Sequence, residues 1–473
     1  MPDHDVAIIG AGAAGRSVAA TAAALGLTVV LFERDRLEAG LGRGKAAGQA
    51  LLAAAHRAAA LRGTALGIRA EGVSVDWPAL RRHLRETGAA ALAAESAGRP
   101  QGPGITLVQA SAHFVAPDRI EAAGRVHSFR RAVIAAGRAP VVPDLPGLVG
   151  LPWLTRETLL ELEAPPRHLL VLGGGATGVE MAQAHARLGV RVTLVEAAPN
   201  ILSDEEPELR LALREQLRQD GVEILENSRV VALEPAPDGL AAVLEGGARL
   251  AGSHLLFAVG HAPRLAPLDL PAANIAATPR GIATGRDLRS TSNRRVWAAG
   301  DIADPDGMAP RHASGAAGQH AALLVRSMLF RLPARLDDAA LPRLIGTAPE
   351  LAQVGLTEAE ARAAGHSLRI QRQGFAGNTQ AIAEGDTAGM VKLVLDGQGR
   401  LLGAGLLGRG AGELAAALGL MIGRRLPLSA LAELPLASPS RAEALRQAAA
   451  ALYTPRLTTP IMRRLAGWAT RLP

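Results

Sequence analysis

Two stretches of this chain repeat one pattern: four apolar residues, a glycine-rich turn, then a helix with an apolar face. The first is Val6-Ala-Ile-Ile9 followed by Gly10-Ala-Gly12-Ala-Ala-Gly15. The second is Leu169-Leu-Val-Leu172 followed by Gly173-Gly-Gly175-Ala-Thr-Gly178. A short, continuous apolar run bounded by glycine reads as a buried parallel strand. The pattern predicts a helix over 13–25 and a strand over 28–32, then a second helix over 176–188 and a strand over 192–195. An acid closes each second strand, Glu33 in the first unit and Glu196 in the next. Arg294-Arg-Val-Trp-Ala-Ala-Gly-Asp301 reads as a third short strand ending in Gly-Asp. Pro140, Pro143 and Pro146 punctuate a linker after Ala132-Val-Ile-Ala-Ala-Gly137. Beyond Pro333 the pattern changes. Strand-like runs at 390–395 and 401–407 alternate with apolar helices at 412–422 and 440–452, which reads as a separate α+β domain.

Strand, glycine turn, helix, strand and terminal acid, in that order, form the dinucleotide-binding βαβ unit. The glycines permit a tight turn and close approach of the backbone to a diphosphate. The helix N-terminus presents its positive end to the phosphates. Glu33 is placed to accept from the adenosine ribose. Two such units in one chain imply two nucleotides held together, most simply a flavin and a nicotinamide. Glu196 reads as an acceptor for a ribose 2′-hydroxyl, hence NADH over NADPH. A 2′-phosphate would meet like charge there, and Ala197-Ala-Pro199 offers no arginine.

Composition narrows the chemistry further. At 473 residues the chain has room for about three domains. No cysteine is present, which excludes disulfides, thiol catalysis and thiolate metal sites. The formal charge of +7 comes from scattered arginines, so nucleic acid is not an expected partner. The histidines are scattered too, and no His, Asp or Glu cluster has metal-ligand spacing. No apolar run is long enough to span a membrane. Met1-Pro-Asp-His-Asp5 leads straight into a strand with no visible signal peptide, so the expected location is the cytoplasm.

With these motifs assembled, the chain resembles the pyridine nucleotide–disulfide oxidoreductases, the family of lipoamide dehydrogenase, glutathione reductase and mercuric reductase. The resemblance rests on both fingerprints, Ala135-Ala-Gly137, Glu180, Val259-Gly-His-Ala-Pro263 and Ala298-Ala-Gly-Asp301. The third domain adds Thr347-Ala-Pro-Glu-Leu-Ala-Gln-Val-Gly-Leu-Thr-Glu358 and Gly389-Met-Val-Lys-Leu-Val394. It implies an α/β fold with two Rossmann-like dinucleotide-binding domains, for FAD and NAD, plus a C-terminal α+β dimerisation domain. The expected boundaries are 1–147 and 263–335 for the two parts of the FAD domain, 148–262 for the NAD(P)H domain and 336–473 for the dimerisation domain with its basic tail. The resemblance further implies a homodimer and an Asp301 that holds the ribityl chain. It implies a backbone at Ala112 that meets the adenine and a helix starting near Ala309 that faces the flavin. Gly260 and His261 fall beside the nucleotide.

The departures from that family are concentrated. Its redox cysteine pair falls on Gly40 and Lys45, and its next lysine on Gln49. Its C-terminal histidine falls on Ser438, leaving only the orienting Glu443. The whole thiol relay is therefore missing together. Glu180, two residues past Gly178 and read as lying on the first turn of its helix, is expected beside the flavin and nicotinamide; the alternative is an exposed acid favoured by the helix dipole. Lys45, one helical turn from Gln49, is expected to place a cation at the flavin; the alternative is a solvated lysine in a glycine loop. The catalytic expectation thus rests on Lys45, Glu180 and Glu443. The implied activity moves hydride from NADH to FAD, then electrons directly to a small acceptor such as a quinone or dioxygen. Gly40, Ala46 and Ala47 leave room where sulfur would sit. The rival is a non-catalytic FAD- and NAD-binding sensor. The tail Ile461-Met-Arg-Arg-Leu-Ala-Gly-Trp468 is amphipathic and basic; packing on its own dimer is favoured over peripheral membrane contact.

Overall fold

The computed structural model describes residues 1–34, 45–63, 65–97, 104–308, 316–457 and 459–471. The chain divides into two compact units. One holds Met1–Ala60, Gly72–Ile201 and Asp220–Leu336; the other holds Leu61–Glu71, Leu202–Gln219 and Asp337–Pro473.

Besides three smaller sheets, the first unit contains two larger open sheets, each built around a parallel core. In the first, Ile105–Val108, Val29–Phe32, His4–Ile9, Arg125–Ile134 and Val296–Ala298 pair in parallel. Arg125–Ile134 also continues antiparallel into Arg119–Ala122 and Ala112–Ala116. The apolar residues of His4–Ile9 alternate between two cores. Val6 and Ile8 pack with Val18 and Ala22 of the helix Ala13–Ala24, while Ala7 and Ile9 pack with Phe114 and Phe129. Burial on both faces is why this strand reads as an unbroken apolar run. The second sheet is parallel throughout, in the order Val222–Leu225, Arg191–Val195, His168–Leu172, His254–Phe257 and Trp153–Leu154. The helix Ala176–Arg187 follows His168–Leu172 through the second glycine turn.

The other unit is an antiparallel sheet ordered Arg343–Ile345, Glu350–Gly355, Leu401–Gly408, Met390–Asp396 and Leu368–Gly374. Its buried face packs against the helices Ala411–Arg424 and Glu443–Leu457 through Leu393, Leu406, Leu418 and Leu445. The helix Pro207–Gln219 groups with this unit. The physical cause is local. Leu209 packs closely on Gly405, and Glu206 and Glu208 bind the buried Lys392. No helix among the described residues is long and apolar enough to cross a membrane. The tail forms the helix Pro460–Ala469, with Ile461, Leu465 and Trp468 exposed.

Candidate dinucleotide sites

Each glycine turn shows which of its glycines the fold itself requires. Gly10 has φ +102°, and a Cβ there would lie 2.4 Å from the Ala135 carbonyl oxygen. A Cβ on Gly15 would lie 2.0 Å from the Gly10 oxygen. Gly12 is different: the nearest atom to its Cβ position is 3.9 Å away. The second turn repeats this. Gly173 has φ +108° and faces the Ala258 oxygen at 2.5 Å; Gly178 faces the Gly173 oxygen at 1.9 Å; Gly175 has nothing within 4 Å. The outer glycines serve strand–helix packing. The middle ones leave an open backbone at a helix N-terminus without a side-chain cap. That is the geometry a diphosphate needs, since unpaired N–H groups and the helix dipole both favour an anion. The residues present therefore fit a dinucleotide at both turns.

The two acids brace the same loops. The Ala11 N–H donates to Glu33 Oε2 at 2.7 Å. The Gly174 N–H donates to Glu196 Oε2 at 2.6 Å, and the Ala198 N–H donates to Glu196 Oε1 at 2.7 Å. A carboxylate has about four acceptor directions, so each acid can hold its loop and still accept from a ribose.

A cavity of about 830 Å³ opens over the first turn, lined by Gly10, Gly12, Glu33, Ala112 and Gly137. Sequence reasoning placed those five around one nucleotide, and the fold brings them to one cavity. It missed the cations: Arg34, Arg81, Arg85, Arg138 and Arg264 also line it. Arg81 and Arg85 lie four residues apart on the helix Trp77–Ala97 and so share a face. That spacing was readable, but nothing in the sequence tied the helix to the first glycine turn.

Other expected residues fall as follows. Asp301 is exposed in the short 3₁₀ turn Gly300–Ile302. The Gly300 N–H before it donates to His320 Nδ1 at 3.0 Å. Burial pushes His320 down to about 4, against the opposing pull of Asp301, so the ring is neutral and can accept. Gly260 has φ +114° and open space around it. Glu180 is the fifth residue of the helix Ala176–Arg187 and only 9% exposed. It therefore lies past the first turn, contrary to the expectation, and is not the exposed acid of the dipole alternative. Lys45 opens the helix Lys45–Arg62, which also carries Gln49; its side chain lies outside the described residues. Gly40 and Ala309 also lie outside them. Ala47 lines the cavity. Glu443 starts the helix Glu443–Leu457 and accepts from the Ser440 N–H at 3.2 Å. Among the described residues no group of three or more His, Asp or Glu could hold a metal ion.

A further feature was not visible in the sequence. A Cβ on Gly48 would lie 2.2 Å from an Arg156 guanidinium nitrogen. The bare glycine lets that cation lie against the helix, one residue from Gln49.

Comparison with known proteins agrees with this architecture. Residues 4–320 match the model for "Pyridine nucleotide-disulphide oxidoreductase", and residues 341–449 match the dimerisation domain of the same group. The chain is 33% identical over 466 residues to a mercuric reductase of Streptomyces lividans, covering 94% of this chain and 95% of that one. It is 32% identical over 473 residues to a dihydrolipoyl dehydrogenase of Thermus scotoductus, covering 96% and 98%. Among solved structures, the HOCl-induced flavoprotein disulfide reductase RclA from Escherichia coli matches with a TM-score of 0.83 and 25% identity, covering 94% of this chain and 99% of that one.

Proposed function

The chain belongs to the pyridine nucleotide–disulphide oxidoreductase family, and we propose that it is an NADH-dependent member that passes electrons from FAD directly to a small non-disulfide acceptor, a quinone or dioxygen. One coincidence carries the reading. Both glycine turns keep their open middle glycines, while the chain has no cysteine at all. Disulfide exchange and thiolate capture of a soft metal both need protein thiolates. The activities named for the relatives, mercuric and dihydrolipoyl, therefore do not carry over.

When bound, FAD supplies the hydride and electron chemistry. The chain supplies position and charge. In this reading Glu33 fixes the adenosine ribose and Asp301 accepts from the ribityl hydroxyls. Glu196 accepts from the NADH ribose and repels a 2′-phosphate. The buried Glu180 presents a carboxylate near the meeting point of the two nucleotides, and Lys45 supplies a cation on the acceptor side. Gly40, Ala46 and Ala47 leave the acceptor its space. Glu443 keeps a structural role, since position 438 is a serine with no base for it to orient.

The test is anaerobic mixing of the FAD-loaded protein with NADH. The flavin band should bleach, without the long-wavelength band of a thiolate–flavin contact, and a quinone should restore it. Failure to bleach would leave the non-catalytic sensor as the better reading. Glu196→Ala should narrow the NADH-over-NADPH preference by about tenfold, a change of about 1.4 kcal/mol. Equal efficiency of the two nucleotides in the parent would remove Glu196 from this role.

A further inference from the structure

A second cavity of about 830 Å³ lies apart from both glycine turns, and its wall carries seven arginines against one carboxylate, Asp287. Arg130 and Arg131 come from the strand Arg125–Ile134, and Arg294 and Arg295 immediately precede the strand Val296–Ala298. These two strands run in parallel, with Ala132 beside Val296. Their far ends feed Ala135–Gly137 and Gly300–Asp301 on the nucleotide side. Ligands of open α/β sheets sit at the carboxyl ends of the strands, so this cavity is not part of the dinucleotide cleft.

Of the seven, only Arg130 pairs with a carboxylate among the described residues. Arg130 reaches Asp5 at 3.1 Å. Arg131 donates to the Met328 carbonyl, and Arg289 donates to the Arg294 carbonyl while lying 5.1 Å over the Trp297 ring. Arg294, Arg295, Arg331 and Arg335 are exposed, and none pairs with a carboxylate among the described residues. Burial, then Arg331 and Arg289, pushes Arg131 below its ordinary range. Trp297 adds an independent signal. It is 5% exposed, lines the cavity, and its indole N–H has no hydrogen-bond partner. Converging guanidinium groups repel one another unless an anion lies between them. Their planar forks match phosphate oxygens, and an indole N–H needs an acceptor.

We propose that this cavity binds a small polyanion bearing two or more phosphate groups. A concave site of this size suits a compact ligand better than a duplex or a lipid surface. The free chain of an inorganic polyphosphate and a multiply phosphorylated metabolite share this chemistry.

The experiment is calorimetric titration of the FAD-loaded full-length protein, saturated with NAD⁺ so that the second glycine turn is occupied. Salt is held at about 0.15 M, where charges beyond about 8 Å are screened. Inorganic tripolyphosphate and fructose 1,6-bisphosphate are the probes. At least one should bind once per chain, the tighter of the two identifying the source, with orthophosphate much weaker. The double variant Arg294→Gln with Arg295→Gln removes exposed side chains only and should weaken binding by at least about tenfold. Arg331→Gln, from a different segment, should weaken it too. Absence of binding, or unchanged affinity in both variants, overturns the proposal. So does tighter binding of a short DNA duplex or of anionic vesicles than of either probe, lost in the same variants.

Discussion

At the scale of single residues, the glycine turns separate two demands that the sequence motif merges. The spacing Gly10, Gly12, Gly15 says that three glycines stand together. It does not say that the fold requires Gly10 and Gly15 and leaves Gly12 open. That division follows from φ and from what a Cβ would strike, neither of which a single sequence displays. Gly10→Ala has to hold φ +102° and push against the Ala135 carbonyl. It should cost more than about 2 kcal/mol of stability. Gly12→Ala keeps φ −65° and clears its neighbours, so stability should change by less than about 1 kcal/mol. Its methyl group would nonetheless stand where the diphosphate approaches, and FAD should be lost on desalting. Denaturant titration and the flavin absorbance of the purified variants read both effects. A Gly12→Ala protein that unfolds as readily as Gly10→Ala, or that keeps its flavin, would show that the division is wrong. Other single residues were legible only in part. Glu33 and Glu196 declared themselves by position at strand ends, yet their bonds to the Ala11 and Gly174 amides required the loop to be folded. Arg156 against Gly48 left no sequence trace, because the contact joins segments more than a hundred residues apart.

At the scale of elements, the strands and helices were close to their expected positions wherever an apolar run met a glycine or proline. Burial on both faces gives such runs a strong and local signature. What the pattern did not tell was which elements meet. Gly389-Met-Val-Lys-Leu-Val394 reads as a strand with one charge in an apolar row. The fold explains the charge. Lys392 is 1% exposed and its Nζ lies 2.7 Å from Glu206, 2.9 Å from Glu208 and 2.9 Å from Glu358. Arg372 binds Glu208 through two bonds of 2.6 Å, and Arg362 lies 2.6 Å from Glu358. Three cations and three carboxylates thus close a network that fastens the start of the helix Pro207–Gln219 to the sheet. Burial opposes the charge on Lys392, but its hydrogen bonds to the three glutamates outweigh burial and hold it above the usual lysine range. Removing one partner of a buried pair leaves an uncompensated charge and costs about 3–5 kcal/mol. Lys392→Met should therefore destabilise this unit by about that much, and adding Glu206→Gln should recover part of the loss. A Lys392→Met protein that unfolds at the parent's denaturant concentration would show that the network contributes nothing.

At the scale of the whole molecule, the acid limit of stability is set by histidines the chemistry does not use. Composition shows scattered histidines, and nothing in their sequence positions predicts that several are enclosed. Burial is the main cause in each case and pushes His56, His185 and His320 from an ordinary 6.5 down to about 4. His185 donates from Nδ1 to the Met181 carbonyl at 2.8 Å and stacks on Trp77, and His320 accepts from Gly300. All three are neutral in the folded chain at pH 5, whereas in the unfolded chain they are protonated. Unfolding there takes up roughly three protons. Because the folded pKa values lie below the unfolded ones, the stabilisation is complete above pH 6.5 and is lost as pH falls from 6.5 to about 4. Carboxylates act in a lower window: hydrogen bonds from Arg372 hold Glu208 at about 2, so its contribution fades only below pH 4.5. Glu205, raised by burial despite Arg343, works in the opposite direction. Urea unfolding of the FAD-saturated protein should accordingly show a midpoint that declines steadily from pH 6.5 to 4.5. His56→Leu is the sharpest probe, since the buried Nε2 of His56 has no hydrogen-bond partner to lose. It should flatten that decline by about one proton while leaving the midpoint at pH 7.5 within about 1 kcal/mol of the parent. A midpoint independent of pH across this window, or a His56→Leu slope equal to the parent's, would mean that these rings are solvated in the folded state and that acid unfolding begins with the carboxylates.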